Sequence, residues 1–550
     1  MRLQRGLAIA AAALALGACS TTSGGPAANP QSYADFLVGR VAHLTNDYDQ
    51  ASDRYLAALV RDPGNQTLVD GAVSAALAQG DLARAREAAV YARGPDAPAY
   101  ALMLRAADAL AARRWRDAET TLRLAHGDAA QTLAIRALQV WTSAAQGRVE
   151  PIDAEVRPLM SISPFGGLFN YQQGMALDFA GRGDEALTFY AAAASGDVWL
   201  PPAVERLADL LARRGQRDEA ERILAASGEL NPSIVAALAR LHAGGDVASA
   251  PLTPARGAAI SLYGLAQTYL QQSDTGDGLA LLTLCLALDP GLDPARLAYA
   301  QAQVDLQQQA RAIAVLRQVP ANSPYAASAR IAEAWALIDE GQPDAAVALL
   351  RAGGDEFRYT RALGDVYRSL HRDEEAEAAY TQLIAARPGD WRLFYARGAA
   401  RQSLGRVEEG EADLQRALEI SPQQPEVLNY LGYSWVDRGV RVEEGLAMVQ
   451  RAATMRPNSG AIIDSLAWAY YRQRDYTRAV ENAERAIELE PGDATLNDHL
   501  GDIYWRAGRQ IEARYQWRRA LALNPADPAA IQAKLDHGLA PDPAAHSGRR

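Results

Sequence analysis

The residues best suited to chemistry in this sequence are paired carboxylates: Asp184-Glu185, Asp218-Glu219, Glu374-Glu375, Glu408-Glu409 and Glu443-Glu444. Two neighbouring carboxyl groups can divide acid and base roles when their surroundings push their pKa values apart. These five pairs share a different property. Each directly precedes a small residue that opens a helix: Ala186, Ala220, Ala376, Gly410 and Gly445. A helix N-terminus favours negative charge through its dipole and its unpaired amides, so the pairs read as helix starts and not as catalytic dyads. The seven histidines (His43, His126, His242, His371, His499, His537 and His546) stand singly, without the spacing of a metal site. Gly181-Arg182-Gly183 follows no strand and belongs to a turn between helices. No phosphate-binding loop, HExxH or Cys-x-x-Cys occurs, so no catalytic group, cofactor or metal is expected.

The elements that carry these residues repeat. From Asp493 to Pro525 the chain places Leu500-Gly501, Tyr504, Ala513, Trp517, Ala520 and Pro525 in order. The large residues suit the seam between two helices, the small ones permit close backbone approach, and Pro525 ends the second helix. Counting back, Pro491, Pro457, Pro422 and Pro388 follow at a nearly constant interval. Leu466-Ala467, Leu431-Gly432 and Leu363-Gly364 recur in place of Leu500-Gly501, and Tyr470, Trp435 and Tyr367 in place of Tyr504. This register resembles the tetratricopeptide repeat (TPR), a helix–turn–helix unit of about 34 residues. The resemblance implies an all-α TPR solenoid, wound as a right-handed superhelix of about 13 helix pairs.

Such a solenoid reconciles 550 residues with a core that grows in one dimension. With 49% hydrophobic and 22% charged residues the chain is globular. Its net charge of −11 argues against nucleic-acid binding. Residues 32–242 form an N-terminal array. It has weaker pairs near 66–98 and 99–127, and irregular ends at Glu150-Pro151 and from Ser163 to Gly167. Residues 243–258, with AGGDVASAPLTP from Ala243 to Pro254, are expected to be a loop or hinge. Residues 259–527 form a C-terminal array, and 528–550 a capping helix and tail, the helix running from Pro528 to Leu539. Cys285 follows Leu265 at the offset at which Ala520 follows Leu500, which assigns it to packing.

Residues 1–18 read as a signal peptide: Arg2 and Arg5 precede an apolar run, Leu7 to Ala18, too short to cross a bilayer. Leu16-Gly17-Ala18-Cys19 resembles the lipobox of bacterial lipoproteins, which implies lipidation of Cys19. Residues 19–31 are then the lipidated cysteine and its Ser/Gly/Pro tether. Ser20 after the cysteine implies, by the same resemblance, the outer membrane, with the body on its periplasmic face.

In the TPR family certain first-helix positions face a groove. Carried onto this sequence, they select Asp498, Asp502, Trp505 and Arg506 in the last repeat, and Asp464, Trp468, Tyr471 and Arg472 in the one before. Tyr433 and Tyr395 follow further back. Trp, Tyr and Arg flanked by charge is the composition of protein-binding hot spots. Trp468, Tyr471 and Trp505 are expected to form one apolar strip, unless the rings pack between adjacent helices instead. The segments Leu428–Trp435, Ile462–Tyr471 and His499–Trp505 resemble long-array outer-membrane TPR lipoproteins, some of which are adaptors that present cell-wall hydrolases to carboxyl-terminal processing proteases. The resemblance implies a non-catalytic adaptor of this kind. A scaffold for an envelope machine (polysaccharide export, pilus assembly or outer-membrane protein insertion) is the alternative. Replacing Cys19→Ser should release the protein from the membrane fraction with its thermal unfolding unchanged. A variant that still floats with outer-membrane vesicles contradicts the lipobox.

Overall fold

The computed structural model describes residues 30–149, 165–194, 200–227, 231–248 and 250–540. The signal peptide, Cys19, most of the tether, Glu150-Pro151 and the tail from 541 lie outside the described residues. Among the described residues there are 29 helices and no strand. In chain order 26 of them fall into 13 helix–turn–helix pairs. Three stand singly, at Ala129–Ala144, Pro232–His242 and Pro528–His537. The fold is an all-α TPR solenoid.

Each repeat depends on a close approach at the small position of its first helix. A Cβ on Gly501 would fall 2.4 Å from the ring of Trp517, and one on Gly432 2.7 Å from the carbonyl oxygen of Gly445. The turn that follows needs a left-handed residue. Gly508 supplies it at φ +83°, while Arg474 holds the equivalent place one repeat earlier at φ +66°, a strained conformation for a residue with a Cβ. The carboxylate pairs occupy the first turns of their helices. Arginines at the turns close exposed ion pairs three residues on: Arg182 with Glu185, Arg372 with Glu375 and Arg441 with Glu444.

The described chain divides into two compact units, up to Gln342 and from Pro343. The segment expected as a hinge therefore lies inside the first unit. It is also shorter than expected, because a helix begins at Pro254 with Thr253 as its N-cap, Thr253 Oγ1 accepting from the Arg256 amide at 3.1 Å. Proline at the first helical position is preorganised for that start. Likewise Gly166 and Gly167, expected in an irregular end, form the first turn of the helix Phe165–Phe179.

Within the first unit the helices Pro254–Gln271 and Thr275–Leu288 pack on Gln66–Gln79, Ala99–Ala111 and Ala129–Ala144, far from them in sequence. The indole Nε1 of the fully buried Trp141 donates to Ser261 Oγ at 3.0 Å. Tyr100 donates to Asp277 at 2.7 Å, and Thr283 to the Leu77 carbonyl at 2.8 Å. Gly257 faces the Trp141 ring so closely that a Cβ would stand 2.2 Å from it. In the helix Thr275–Leu288, Leu279 to Cys285 are buried without interruption. An apolar surface on every side of a helix must be covered on every side. Cys285 is fully buried, and burial pushes its thiol pKa up, which keeps it protonated and inert.

The close approach at Gly501 makes a quantitative prediction. Helix propensity favours alanine over glycine by about 1 kcal/mol, but overpacking costs about 1–3 kcal/mol. Gly501→Ala should therefore lower stability in denaturant unfolding. Gly492→Ala, whose Cβ would meet nothing within 4 Å, should stay within about 0.5 kcal/mol of the parent. Equal stability of the two variants would contradict the packing described.

Candidate functional site

The candidate residues lie in the second unit, on the first helices Trp391–Ser403, Pro425–Asp437, Gly460–Arg472 and Ala494–Arg506. Tyr395 packs edge-on against Tyr430 of the next first helix, centroids 5.9 Å apart and planes at 87°; this ring is a spacer between repeats. Tyr433 is half-buried and lines a cavity of about 300 Å³ with Gln402, Tyr430, Ser434, Asp437 and Arg438. Burial, then the carboxylates of Asp437 and Asp464, push its phenol up to about 12. In the cavity wall the buried amide nitrogen of Gln402 has no hydrogen-bond partner among the described residues, a free donor for an incoming carbonyl.

Trp468 stands next to that cavity. Its indole donates to Asp437 Oδ1 at 3.0 Å, an oxygen that also accepts from Arg472 at 3.0 Å. Its ring is stacked on both faces, by Tyr471 at 4.7 Å and by His499 of the following first helix at 4.3 Å, with interplanar angles of 25° and 23°. Beneath the stack His499 Nδ1 and Asp464 Oδ2 are 2.7 Å apart. Asp464 is only 5% exposed, so it braces the stack from below and does not rim it. Burial pushes the His499 imidazole down, but Asp464, Asp498 and Asp502 outweigh it and the net shift is upward. Tyr471 is half-buried and Arg472 exposed.

Trp505 does not continue this strip. Its ring lies against Trp517, 5.4 Å between centroids, with Arg514 over it at 5.6 Å. Gly538 (φ +71°) closes on it so tightly that a Cβ would be 2.0 Å from the indole. The helix Pro528–His537 brings Lys534, the single lysine of the chain, onto Asp498 at 2.8 Å and Asp502 at 2.8 Å. Asp502 also accepts from Trp517 Nε1 at 2.9 Å, and Arg506 donates to the Ala540 carbonyl at 2.7 Å. Thus Asp498, Asp502, Trp505 and Arg506 serve the terminal cap. Trp468, Tyr471, Arg472 and Tyr433 remain together on the uncovered part. His499, Asp437 and Lys534 complete the picture. His499 had a signal in its place beside Asp498, the residue one repeat after Asp464, and Lys534 in its uniqueness.

The tetratricopeptide-repeat family model matches residues 331–390, 361–425 and 465–530. Residues 331–425 and 465–530 are tetratricopeptide repeats. Similar solved structures include a tetratricopeptide repeat protein from Parabacteroides merdae, 18% identical over 44% of this chain and 96% of that one, TM-score 0.37. Another is the APC/C hetero-tetramer Cut9–Hcn1, 15% identical over 93% and 97%, TM-score 0.40. A third is MamA from Desulfovibrio magneticus RS-1, 18% identical over 31% and 96%, TM-score 0.27. No curated protein matches the chain. TPR arrays are scaffolds for protein–protein interaction, and the repeats of this chain suggest that role.

The His499–Asp464 pair makes stability depend on pH. A histidine whose folded pKa is raised stabilises the fold fully below its unfolded value near 6.5, and the gain is lost as pH rises through the folded value. The unfolding temperature of the second unit's transition should therefore fall as pH rises from 6.5 towards 9. In His499→Gln that fall should be reduced. An unchanged pH profile in the variant contradicts the pairing.

Proposed function

We propose that the chain is a non-catalytic, outer-membrane-anchored periplasmic adaptor that holds a protein partner on the first-helix face around Trp468 and Tyr471. The observation that carries this reading is the stack Tyr471–Trp468–His499, held rigid by Asp437 and Asp464 and lying beside a cavity whose Gln402 amide is unsatisfied. A preorganised aromatic surface loses little entropy on binding, and half-buried Trp and Tyr with Arg at the edge have the composition of a hot spot. The free Gln402 donor suits the backbone carbonyl of an extended segment.

The resemblance of Leu428–Trp435 and Ile462–Tyr471 to long-array TPR lipoproteins favours one partner class, a periplasmic carboxyl-terminal processing protease together with its cell-wall hydrolase substrate. No described helix is long and apolar enough to cross a membrane, so in this reading the lipid on Cys19 provides the attachment. Tethering two partners on one chain raises their effective concentration and accelerates cleavage without any new chemistry.

In a reconstituted reaction the lipidated protein should accelerate cleavage of the hydrolase by the protease. Tyr471→Ala should weaken partner binding by about 2 kcal/mol or more, the scale of a hot spot, with little change in unfolding temperature. Trp505→Ala should do the reverse, lowering stability by up to about 3–5 kcal/mol as buried aromatic truncations do. Equal protease rates with and without the protein would sink the adaptor reading. A Tyr471→Ala variant that binds normally would sink the site.

A further inference from the structure

The first described helix, Pro30–Leu44, has its polar residues inside and its large apolar ones outside. The inward face carries Ser32, Asp35, Gly39 and Ala42, all buried. Both polar side chains on that face are satisfied. Ser32 Oγ donates to the Ala58 carbonyl at 3.1 Å, and Asp35 accepts from Arg54 at 3.2 Å and from Arg61 at 2.7 Å. On the outward face Tyr33, Val38, Val41 and Leu44 are between 40% and 75% exposed, with Leu37 half-buried among them. At helical spacing Tyr33, Leu37, Val41 and Leu44 form one stripe along the helix. A globular protein ordinarily turns such a stripe to its core.

No described helix precedes Pro30, and Pro30–Leu44 packs on Tyr48–Arg61 and, less extensively, on Gln66–Gln79. The stripe is therefore uncovered among the described residues, and an exposed apolar surface of this kind marks a site of interaction. Three features select what covers it. Residues 20–29 offer only Pro26, Ala27 and Ala28 as apolar groups, too little bulk to replace a packed helix. With Cys19 lipidated, as proposed above, those ten residues reach at most about 35 Å, so the helix begins beside the bilayer. Finally, the one charge on the outward face is the exposed Arg40. The face carries no carboxylate, in a chain whose net charge is −11.

We propose that the outward face of Pro30–Leu44 lies on the lipid surface to which Cys19 is anchored. Tyr33, Leu37, Val41 and Leu44 enter the boundary between headgroups and acyl chains, and Arg40 stays among the phosphates. Tyrosine and arginine suit that depth, each pairing an apolar body with a polar tip, and anionic headgroups attract the cation. The helix has 15 residues, too few to cross a bilayer, so it lies in the plane of the interface. This inference rests on the lipid anchor of the proposed function. A stripe of this size does not hold a protein on a membrane alone, so Cys19→Ser still leaves the membrane fraction. The lipid brings the stripe to the surface, and the stripe orients the first unit against it.

The test places a fluorescent reporter at the far end of the stripe. Cys285 is fully buried, so a thiol-reactive nitrobenzoxadiazole probe labels Leu44→Cys selectively. Leu44 lies about 17 Å along the helix from Tyr33, and only a helix lying flat brings both to the bilayer. The labelled, lipidated full chain is reconstituted in phosphatidylethanolamine–phosphatidylglycerol vesicles, and the lipid on Cys19 is read by mass spectrometry. Emission should shift to the blue relative to the same label on the Cys19→Ser chain, and nitroxide-bearing lipid should quench it. Adding Tyr33→Glu and Val41→Glu should abolish both effects with thermal unfolding unchanged, since both side chains are at the surface. Unshifted, unquenched emission from a chain whose Cys19 is lipidated overturns the contact alone. Cys19 without lipid overturns the anchor and the contact with it. Equal quenching in the glutamate variant shows proximity without insertion and also overturns it. If the Cys19→Ser chain sediments as a dimer that Tyr33→Glu and Val41→Glu dissolve, the stripe joins two copies of the chain and the membrane contact is overturned.

Discussion

The close approach of two helices at one small residue is the contact on which the rest of this structure depends. Gly501 lies under the ring of Trp517, Gly364 under Tyr380 and Gly174 under Tyr190, each too near for a Cβ. The arrangement does two things. It buries a large aromatic body completely, as with Trp517, Tyr190 and Tyr380. It also brings the backbones of a pair together, so that the outward faces of the first helices align from repeat to repeat. Residues on successive first helices, such as Asp464 and His499, then become neighbours, and a bond between repeats can form where they meet.

From that common unit the two parts of the chain use their first-helix faces differently. In the first unit the helices Pro254–Gln271 and Thr275–Leu288 cover the faces of earlier repeats. Trp141, Tyr100 and the Leu77 carbonyl are spent on Ser261, Asp277 and Thr283. That surface is core and offers nothing to a partner. In the second unit the covering is confined to the last turn of the array, where Lys534 and Gly538 close over Asp498, Asp502 and Trp505. The faces of the preceding repeats keep their aromatic and charged side chains at the surface. A solenoid needs a polar cap at its end, and here the cap takes residues that would otherwise extend the recognition face.

Charge follows the same logic of place. Arginines at the turns pair with the first-turn glutamates on the outside, where exposed ion pairs contribute little. The buried charges have structural or recognition roles. Asp464 carries the ring stack through His499, and Lys534 fastens the cap. Neutralising a buried charge therefore has consequences that the loss of an exposed Arg–Glu pair does not.

What the sequence determined by itself is whatever repeats locally. The small–aromatic–small–proline register placed the helix pairs, because each pair is built from contacts within a single repeat and each position has a fixed steric task. The carboxylate pairs located helix starts for the same reason. The fate of the exposed-looking positions was decided only in three dimensions. Tyr471 and Trp505 occupy equivalent places, yet one ends in an open stack and the other beneath Gly538, because a helix beyond the last repeat folds back on it. Asp464 and Asp498 likewise share a template position, and one lies buried under a histidine while the other grips Lys534. The run from Leu279 to Cys285, apolar except for Thr283, signals burial, but nothing local names Gln66–Gln79 and Ala99–Ala111 as its cover. That pairing is set by contacts between segments remote in sequence, as Thr283 with Leu77 is, and no pattern read along the chain encodes it.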